Sequence, residues 1–104
     1  MTDSEYHQLA DELLIQLQDV IDQIDFDLDY ETAGGIVEVS FPNGSKIIVN
    51  KQAPLHQIWV ATKFNGHHFE FKDGNWIDNR TNAEFWSLLN EAGSKQAGQE
   101  ISFN

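Results

Sequence analysis

The apolar positions of residues 3–24 recur at intervals of three and four, as expected for one face of an amphipathic helix. Asp3 or Ser4 is a suitable N-cap, because either side chain can accept a hydrogen bond from the free N–H groups of the first turn. Ile15 falls outside the stripe and is predicted to point to solvent. The stripe consists of Tyr6, Leu9, Ala10, Leu13, Leu17, Val20, Ile21 and Ile24.

After the helix the period shortens to two, which is typical of strands with one buried face. In the first predicted strand, Leu28, Tyr30 and Thr32 point inward and the acids between them point to solvent. Asn43-Gly44 predicts a type I′ hairpin turn, and Gly34-Gly35, Asn65-Gly66 and Asp73-Gly74 mark further turns. The six predicted strands span residues 27–32, 37–41, 46–50, 57–63, 68–72 and 76–78.

A second helix closes the chain. Thr81-Asn82-Ala83-Glu84 matches a capping box, Gly98 is predicted just beyond the helix end, and the buried stripe comprises Phe85, Leu88, Leu89 and Ala92. Helices at both termini with strands between them predict an α+β fold, a two-layer sandwich with both helices on one face of an antiparallel sheet of about six strands. At 104 residues, the chain is expected to form a single domain, 1–104.

Charge is distributed unevenly along this pattern. Residues 1–31 contain ten acids and no Lys or Arg, so they account for −10 of the net charge of −11. Such a field repels nucleic acids and anionic membranes but attracts metal ions and basic protein surfaces. Cysteine is absent, which excludes disulfides and thiolate chemistry. No apolar run approaches the roughly 20 residues of a membrane span, so we expect a soluble cytoplasmic protein.

Most of this charge lies in residues 19–31, DVIDQIDFDLDYE, and we call its six acids the acidic ridge. An EF-hand is excluded, because Tyr30 occupies the sixth loop position, where glycine is needed, and Ile36 the twelfth, where glutamate is needed. An open surface site for hard or borderline cations is one interpretation, and a solvated acidic face is the other. The ridge residues are Asp19, Asp22, Asp25, Asp27, Asp29 and Glu31.

Histidine offers one further candidate ligand. Asp3, His7 and Asp11 lie four residues apart on the predicted helix, so they form a line that could hold an additional ion. His56, His67 and His68 are expected to be surface histidines rather than ligands. No hydrolase, metalloprotease or phosphate-loop motif is present, and exposed carboxylates lack the desolvation that a general acid requires. We therefore predict that the protein is not an enzyme and has no catalytic residues.

Trp59 is the centre of a second candidate surface. Strand alternation places Trp59 and Gln57 on the open face of the sheet, with Asn50 and Gln52 on or near the neighbouring strand. An exposed tryptophan among amides is typical of a protein interface, because aromatic anchors dominate its energy and amides can bind a partner's backbone. The alternative is that a loop of the same chain covers Trp59.

These residues also carry a family resemblance. The segment Asn50-Lys51-Gln52-x-Pro54-x-x-Gln57-Ile58-Trp59 resembles the signature of the frataxin family, and similarity extends from SEYHQLAD at residue 4 to the terminal QAGQEISFN. The resemblance implies a monomeric iron-binding protein (Fe2+ or Fe3+, weakly and surface bound, other cations substituting). It further implies modulation of iron–sulfur cluster assembly through docking on a cysteine desulfurase and scaffold complex, and iron-dependent oligomers.

The resemblance assigns roles to residues of this chain. It implies that the acidic ridge binds iron and that Asp19 and Asp22 also meet a basic surface of the desulfurase. The sheet-face interaction residues correspond to Asn50, Gln52, Gln57 and Trp59. Gln18 and Gln23 stand where bacterial relatives usually carry acids, and the segment from helix to strand is slightly shorter, which bears on the number of iron sites. A metal-independent acidic module that docks on a basic protein is the alternative function.

Overall fold

A six-stranded antiparallel sheet carries two helices on one face, which confirms the predicted fold class. The computed structural model describes all 104 residues. The strands lie in chain order, so the first and last strands form the two edges of the sheet. The elements are α1 (Asp3–Gln23), β1 (Asp29–Ala33), β2 (Ile36–Ser40), β3 (Lys46–Gln52), a 3-10 turn (Ala53–Leu55), β4 (Gln57–Ala61), β5 (Gly66–Lys72), β6 (Asn75–Asp78) and α2 (Phe85–Ala97).

The core lies between the helices and the inner face of the sheet. Alternate residues of the central strands, such as Val49, Ile58 and Phe69, are fully buried there against Leu17 of α1 and other helix residues. The opposite face, which we call the open face, carries no helix. Neither helix is both long and apolar enough to cross a membrane.

The N-cap of the first helix lies before both of the predicted cap residues. Thr2 is the N-cap, because its Oγ1 accepts a 3.1 Å hydrogen bond from the N–H of Glu5, whose carboxylate accepts a bond from the N–H of Thr2 in return. The predicted caps Asp3 and Ser4 were therefore wrong. Ile15 is 59% exposed, as predicted, whereas Leu14 is buried although it was left out of the stripe.

The first strand is shorter than predicted. Its ladder begins where Asp29 pairs with Ser40, so Asp27 lies with Asp25 in the connecting segment and not on the strand as predicted. The N–H of Leu28 bonds to the carbonyl of Phe26 in a tight turn and is therefore not free to extend the ladder. The central strand β4 is also shorter than predicted, because the chain turns from residue 62 and the strand ends at Ala61 and not at residue 63.

Two of the predicted turns have the geometry expected of two-residue hairpins. Gly34-Gly35 and Asp73-Gly74 have positive φ at both central positions. The type I′ prediction at Asn43-Gly44 was wrong, because only Gly44 has positive φ and residues 41–45 form a longer loop. Asn43 instead donates its side-chain amide to the carbonyl of Gln96 at the end of α2, at 2.6 Å.

The second helix starts four residues after its predicted cap. Glu84 is the N-cap, and its carboxylate accepts hydrogen bonds from the N–H groups of Trp86 and Ser87. Thr81 belongs to a turn in which Asp78 bonds through its backbone to residues 82 and 83, so the predicted capping box was wrong. The buried stripe of α2 and the left-handed Gly98 at its end match the predictions.

Candidate metal-binding and docking surfaces

The acidic ridge follows one edge of the molecule. Asp19 and Asp22 lie on the last turns of α1, Asp25 and Asp27 lie in the connection, and Asp29 and Glu31 lie on the edge strand β1. Tyr30 lies opposite Val39, whose side chain is buried, so Tyr30 also points inward. Its two neighbours on β1, Asp29 and Glu31, therefore point to the open face. The ridge thus runs from the helix layer around the sheet edge.

All six ridge carboxylates are exposed, and none forms an ion pair. The six cation–carboxylate contacts of the protein all involve other acids, such as Glu38 with Lys46 and Glu91 with Lys95. Nowhere do three aspartate, glutamate or histidine side chains converge closely enough to hold one ion. The ridge is therefore a row of uncompensated single carboxylates and not a preformed chelate.

One contact within the ridge joins its two elements. The Tyr30 hydroxyl of β1 donates to the Asp22 carboxylate of α1 at 3.2 Å. Burial, together with this bond and the negative charges of Asp22 and Asp19, raises the pKa of the Tyr30 phenol. The hydroxyl therefore stays protonated well into the alkaline range and remains a donor. Only knowledge of how β1 sits beside α1 reveals this pairing.

The strand register adds a seventh acid beside the ridge. Glu38 of β2 lies directly opposite Glu31 of β1 on the open face. Directly opposed like charges are unfavourable in a sheet, and the ion pair between Glu38 and Lys46 at 3.3 Å relieves part of that repulsion. Strand alternation together with the register of a hairpin at Gly34-Gly35 predicts this position of Glu38.

In the candidate line of Asp3, His7 and Asp11, the two acids each contact a different residue elsewhere in the fold. Asp3 Oδ1 lies 2.6 Å from His56 Nε2, and this contact holds the pKa of Asp3 below its usual value. Asp11 Oδ1 lies 2.6 Å from Lys51 Nζ. A cation bound along this line would have to compete with both contacts, because Asp3 already has His56 as a neighbour and Asp11 has Lys51.

The four predicted interaction residues of the sheet lie on the open face as neighbours. Asn50 pairs with Trp59 across β3 and β4, and Gln52 pairs with Gln57. Gln57 is nevertheless only 7% exposed, which corrects the expectation of a free amide. Its Oε1 accepts the indole N–H of Trp59 at 2.7 Å, and its Nε2 donates to Glu70 at 2.9 Å.

The Trp59 indole is partly buried by a neighbouring strand and not by a loop. His68, which faces Trp59 across β4 and β5, stacks on it with ring centroids 4.2 Å apart and an interplanar angle of 9°. The stack borders a shallow cavity of about 200 Å³ that includes Ile48 and Ala61. His68 and Glu70 are the residues of this surface that sequence reasoning missed, since both require the β4–β5 register.

A family model, that of the frataxin-like domain, matches residues 1–99. The chain belongs to the frataxin family. The iron–sulfur cluster assembly protein CyaY from Pseudoalteromonas atlantica is 60% identical over 103 residues, which cover 99% of this chain and 95% of that protein. This match covers nearly the full length of both chains.

Solved frataxin structures share the fold described above. Frataxin from Psychromonas ingrahamii superposes with a TM-score of 0.92 at 41% identity, covering 100% of this chain and 99% of that one. The trimeric frataxin from Saccharomyces cerevisiae, complexed with ferrous iron, has a TM-score of 0.69 at 22% identity, covering 95% of this chain and 88% of that one. The second likeness concerns the fold alone.

Proposed function

We propose that this frataxin is an iron-binding protein that modulates iron–sulfur cluster assembly by docking on the complex of a cysteine desulfurase with its scaffold protein. The observation that carries the proposal is the acidic ridge, six exposed carboxylates without a single ion pair, in a chain 60% identical to a cluster assembly protein. Iron is cargo in this proposal. The protein itself breaks and forms no covalent bond.

The carboxylate oxygens of the ridge are suitable ligands for iron. Carboxylate oxygens suit Fe2+ and Fe3+ as hard or borderline ions, and they also accept other divalent or trivalent cations. Since no three carboxylates converge, each ion would be held by one or two ridge residues and complete its shell with water. Such binding is weak and readily reversed, which is the behaviour required of a protein that passes iron on.

Docking would use both surfaces. The unpaired charge of the ridge, with Asp19 and Asp22 on its helix side, attracts a basic surface of the desulfurase and accelerates encounter. The open face offers Trp59 as an aromatic anchor, flanked by the side-chain amides of Asn50 and Gln52 for a partner's backbone. The two surfaces adjoin through β1 to β3, so one partner complex can contact both.

Paramagnetic NMR tests the iron part of the proposal. Addition of Co(II) or Fe(II) should broaden or shift the backbone signals of Asp19, Asp22 and residues 25–31. A weaker second effect at His7, Asp3 and Asp11 is expected only at higher metal concentration, because the contacts of Asp3 with His56 and of Asp11 with Lys51 compete with the metal. Effects confined to His67 and His68, with the ridge unchanged, would contradict the assignment.

One observation favours a second candidate function. The lack of any three-ligand cluster is compatible with a ridge that serves as an electrostatic docking surface, on which iron is incidental. The triple variant Asp19→Asn, Asp22→Asn, Asp25→Asn discriminates. Loss of binding to the desulfurase complex in metal-free buffer supports the docking function, whereas a loss confined to iron-containing buffer supports a metal-bridged one. Glu12→Gln, Asp73→Asn, Glu91→Gln is the matched control, with equal charge removed elsewhere.

A further inference from the structure

The Trp59 side chain is held by a directional hydrogen-bonded chain. The indole N–H can only donate and the ionised Glu70 carboxylate can only accept, so the amide of Gln57 fits between them in a single orientation. Its oxygen faces Trp59 at 2.7 Å and its nitrogen faces Glu70 at 2.9 Å. The acceptor at the end of the chain is charged, which strengthens the bonds along it.

Stacking fixes the same ring from a second direction. His68 lies almost parallel to the indole, at 9° and 4.2 Å, on the strand that also carries Glu70. The hydrogen bonds therefore set the direction of the indole N–H, and His68 covers one ring face. Together they leave the indole little rotational freedom before any partner arrives.

We infer that Gln57, Glu70 and His68 are positioning residues that orient Trp59 for docking, and that Gln57 does not itself bind the partner. The inference rests on the proposed docking function. Gln57 is 7% exposed and both ends of its amide are occupied, so it has little to offer an incoming backbone. Because the indole donor is already satisfied, a partner can bury Trp59 without leaving an unpaired N–H. The Trp59 indole therefore offers a partner aromatic surface and no free N–H donor.

Fixing the ring in advance also lowers the entropy cost of docking. An interface side chain that becomes ordered only on binding reduces affinity, whereas one held in its bound rotamer does not. Removing the acceptor at Glu70 should free the Gln57 amide to rotate and weaken the bond to Trp59. The expected loss of affinity is about three- to tenfold, as for one hydrogen bond, and should appear mainly in the dissociation rate.

The test combines an NMR signal of the free protein with a double-mutant cycle in binding to a purified cysteine desulfurase–scaffold complex. In Glu70→Ala, the NMR signal of the Trp59 indole N–H should shift, and its proton should exchange faster with solvent. The affinity for the complex should fall about three- to tenfold. In a Trp59→Phe background, the same Glu70→Ala change should alter binding by less than about twofold, because nothing remains to be positioned.

Further variants separate the positioning of Trp59 from the loss of a charge or of a ring. Glu70→Gln keeps an oxygen acceptor and should restore the indole signal and most of the binding. His68→Phe, which preserves stacking, should bind better than His68→Ala. Glu91→Ala, which removes an ion-paired glutamate on the helix layer, is the control and should behave as the unchanged protein.

Two results would overturn the inference. An unchanged indole signal in Glu70→Ala would show that Glu70 does not position Trp59. A full Glu70 effect in the Trp59→Phe background would show that Glu70 contacts the partner directly. Failure of the unchanged protein to bind the complex would instead contradict the proposed function, and the indole signal alone would then decide the positioning role.

Discussion

Asp78 is the clearest case in which a single buried residue sets local structure. Its carboxylate is fully buried, bonded to His67 Nδ1 at 2.7 Å and to the N–H of Arg80 at 2.9 Å. Burial alone would raise the pKa of Asp78, but the bonds from Arg80, His67 and Thr81 outweigh it and hold the pKa below its ordinary value. The same residue anchors the turn that precedes α2.

Replacing Asp78 should therefore be costly. Asp78→Ala leaves the ring nitrogen of His67 and the N–H of Arg80 without their acceptor in a buried site, so we expect a loss of about 2–4 kcal/mol in the free energy of unfolding. Urea unfolding at about pH 7 measures this loss in the free energy of unfolding. Asp73→Asn, an exposed turn residue with positive φ that asparagine tolerates, is the control. Equal midpoints for both variants would refute the anchoring role.

The pKa of Asp78 adds a pH dependence with a definite sign. Because the folded pKa is depressed, the stabilising contribution of Asp78 is complete above its unfolded value of about 3.9 and is lost as the pH falls through the folded value. The difference in stability between the unchanged protein and Asp78→Ala should narrow below about pH 4. A difference that stays constant down to about pH 2 would contradict this account.

At the level of elements, the C-terminal segment closes the core against α2. Phe103 is 1% exposed and packs against the helix at Gly93, where an added Cβ would lie 2.7 Å from Phe103 Cε1. Ser94 and Asn90 hold the same segment by hydrogen bonds to the backbone of Ile101 and Phe103. Glycine is thus required at position 93 by close approach and not by backbone conformation.

Gly93→Ala tests this packing. The methyl group improves helix propensity, but its clash with Phe103 should dominate and lower the free energy of unfolding by about 1–3 kcal/mol. In a Phe103→Leu background, the smaller side chain relieves the clash. Adding Gly93→Ala to Phe103→Leu should therefore lower the free energy of unfolding by less than Gly93→Ala does in the unchanged protein. Thermal unfolding is the measurement. A stabilising effect of Gly93→Ala would show that the segment moves aside freely.

Element positions follow from local sequence wherever one face of an element is buried. The alternation of Val37, Val39 and their counterparts predicted the strands, and periodicity predicted both helices and the outward Ile15. Predictions failed where a specific hydrogen bond outside the periodic pattern decided the outcome, whether its partner was distant or only a few residues away. Asn43 bonds to Gln96 across 53 residues, and Asp78 holds the turn that moves the α2 cap from Thr81 to Glu84.

The same distinction applies to the candidate site. The exposure of the ridge could be predicted, because charged residues between apolar positions of a helix and a strand face solvent. The surroundings of Trp59 could not, since the contacts of Gln57 with Glu70 and of Trp59 with His68 depend on the β4–β5 register. The divided line of Asp3 and Asp11 likewise depends on tertiary partners, His56 and Lys51.

At the scale of the whole molecule, nearly all net charge lies in the first 31 residues, and the six acids of the ridge have no compensating cation. Repulsion along such a row destabilises the folded state, and ions that bind or screen it should reverse the effect. The ridge therefore lowers the stability of the metal-free protein. Its carboxylates remain free to bind cations or a basic partner.

Melting temperature reports this repulsion directly. The unchanged protein should melt a few degrees higher on addition of salt or of divalent cations, because screening and selective binding to the folded state both stabilise it. Asp19→Asn, Asp22→Asn, Asp25→Asn should melt higher at low salt and respond less to both additions. Identical responses of the triple variant and the unchanged protein would show that these three acids contribute no repulsion.

The most direct test of the central claim is cluster formation on the scaffold protein, followed together with cysteine desulfurase activity. The unchanged protein should alter the rate in a manner that depends on iron, in either direction, and the ridge triple variant should lose most of that effect while remaining folded. The Glu12→Gln, Asp73→Asn, Glu91→Gln control should retain it. A full effect from the ridge variant, or none from the unchanged protein with iron present, would contradict the account.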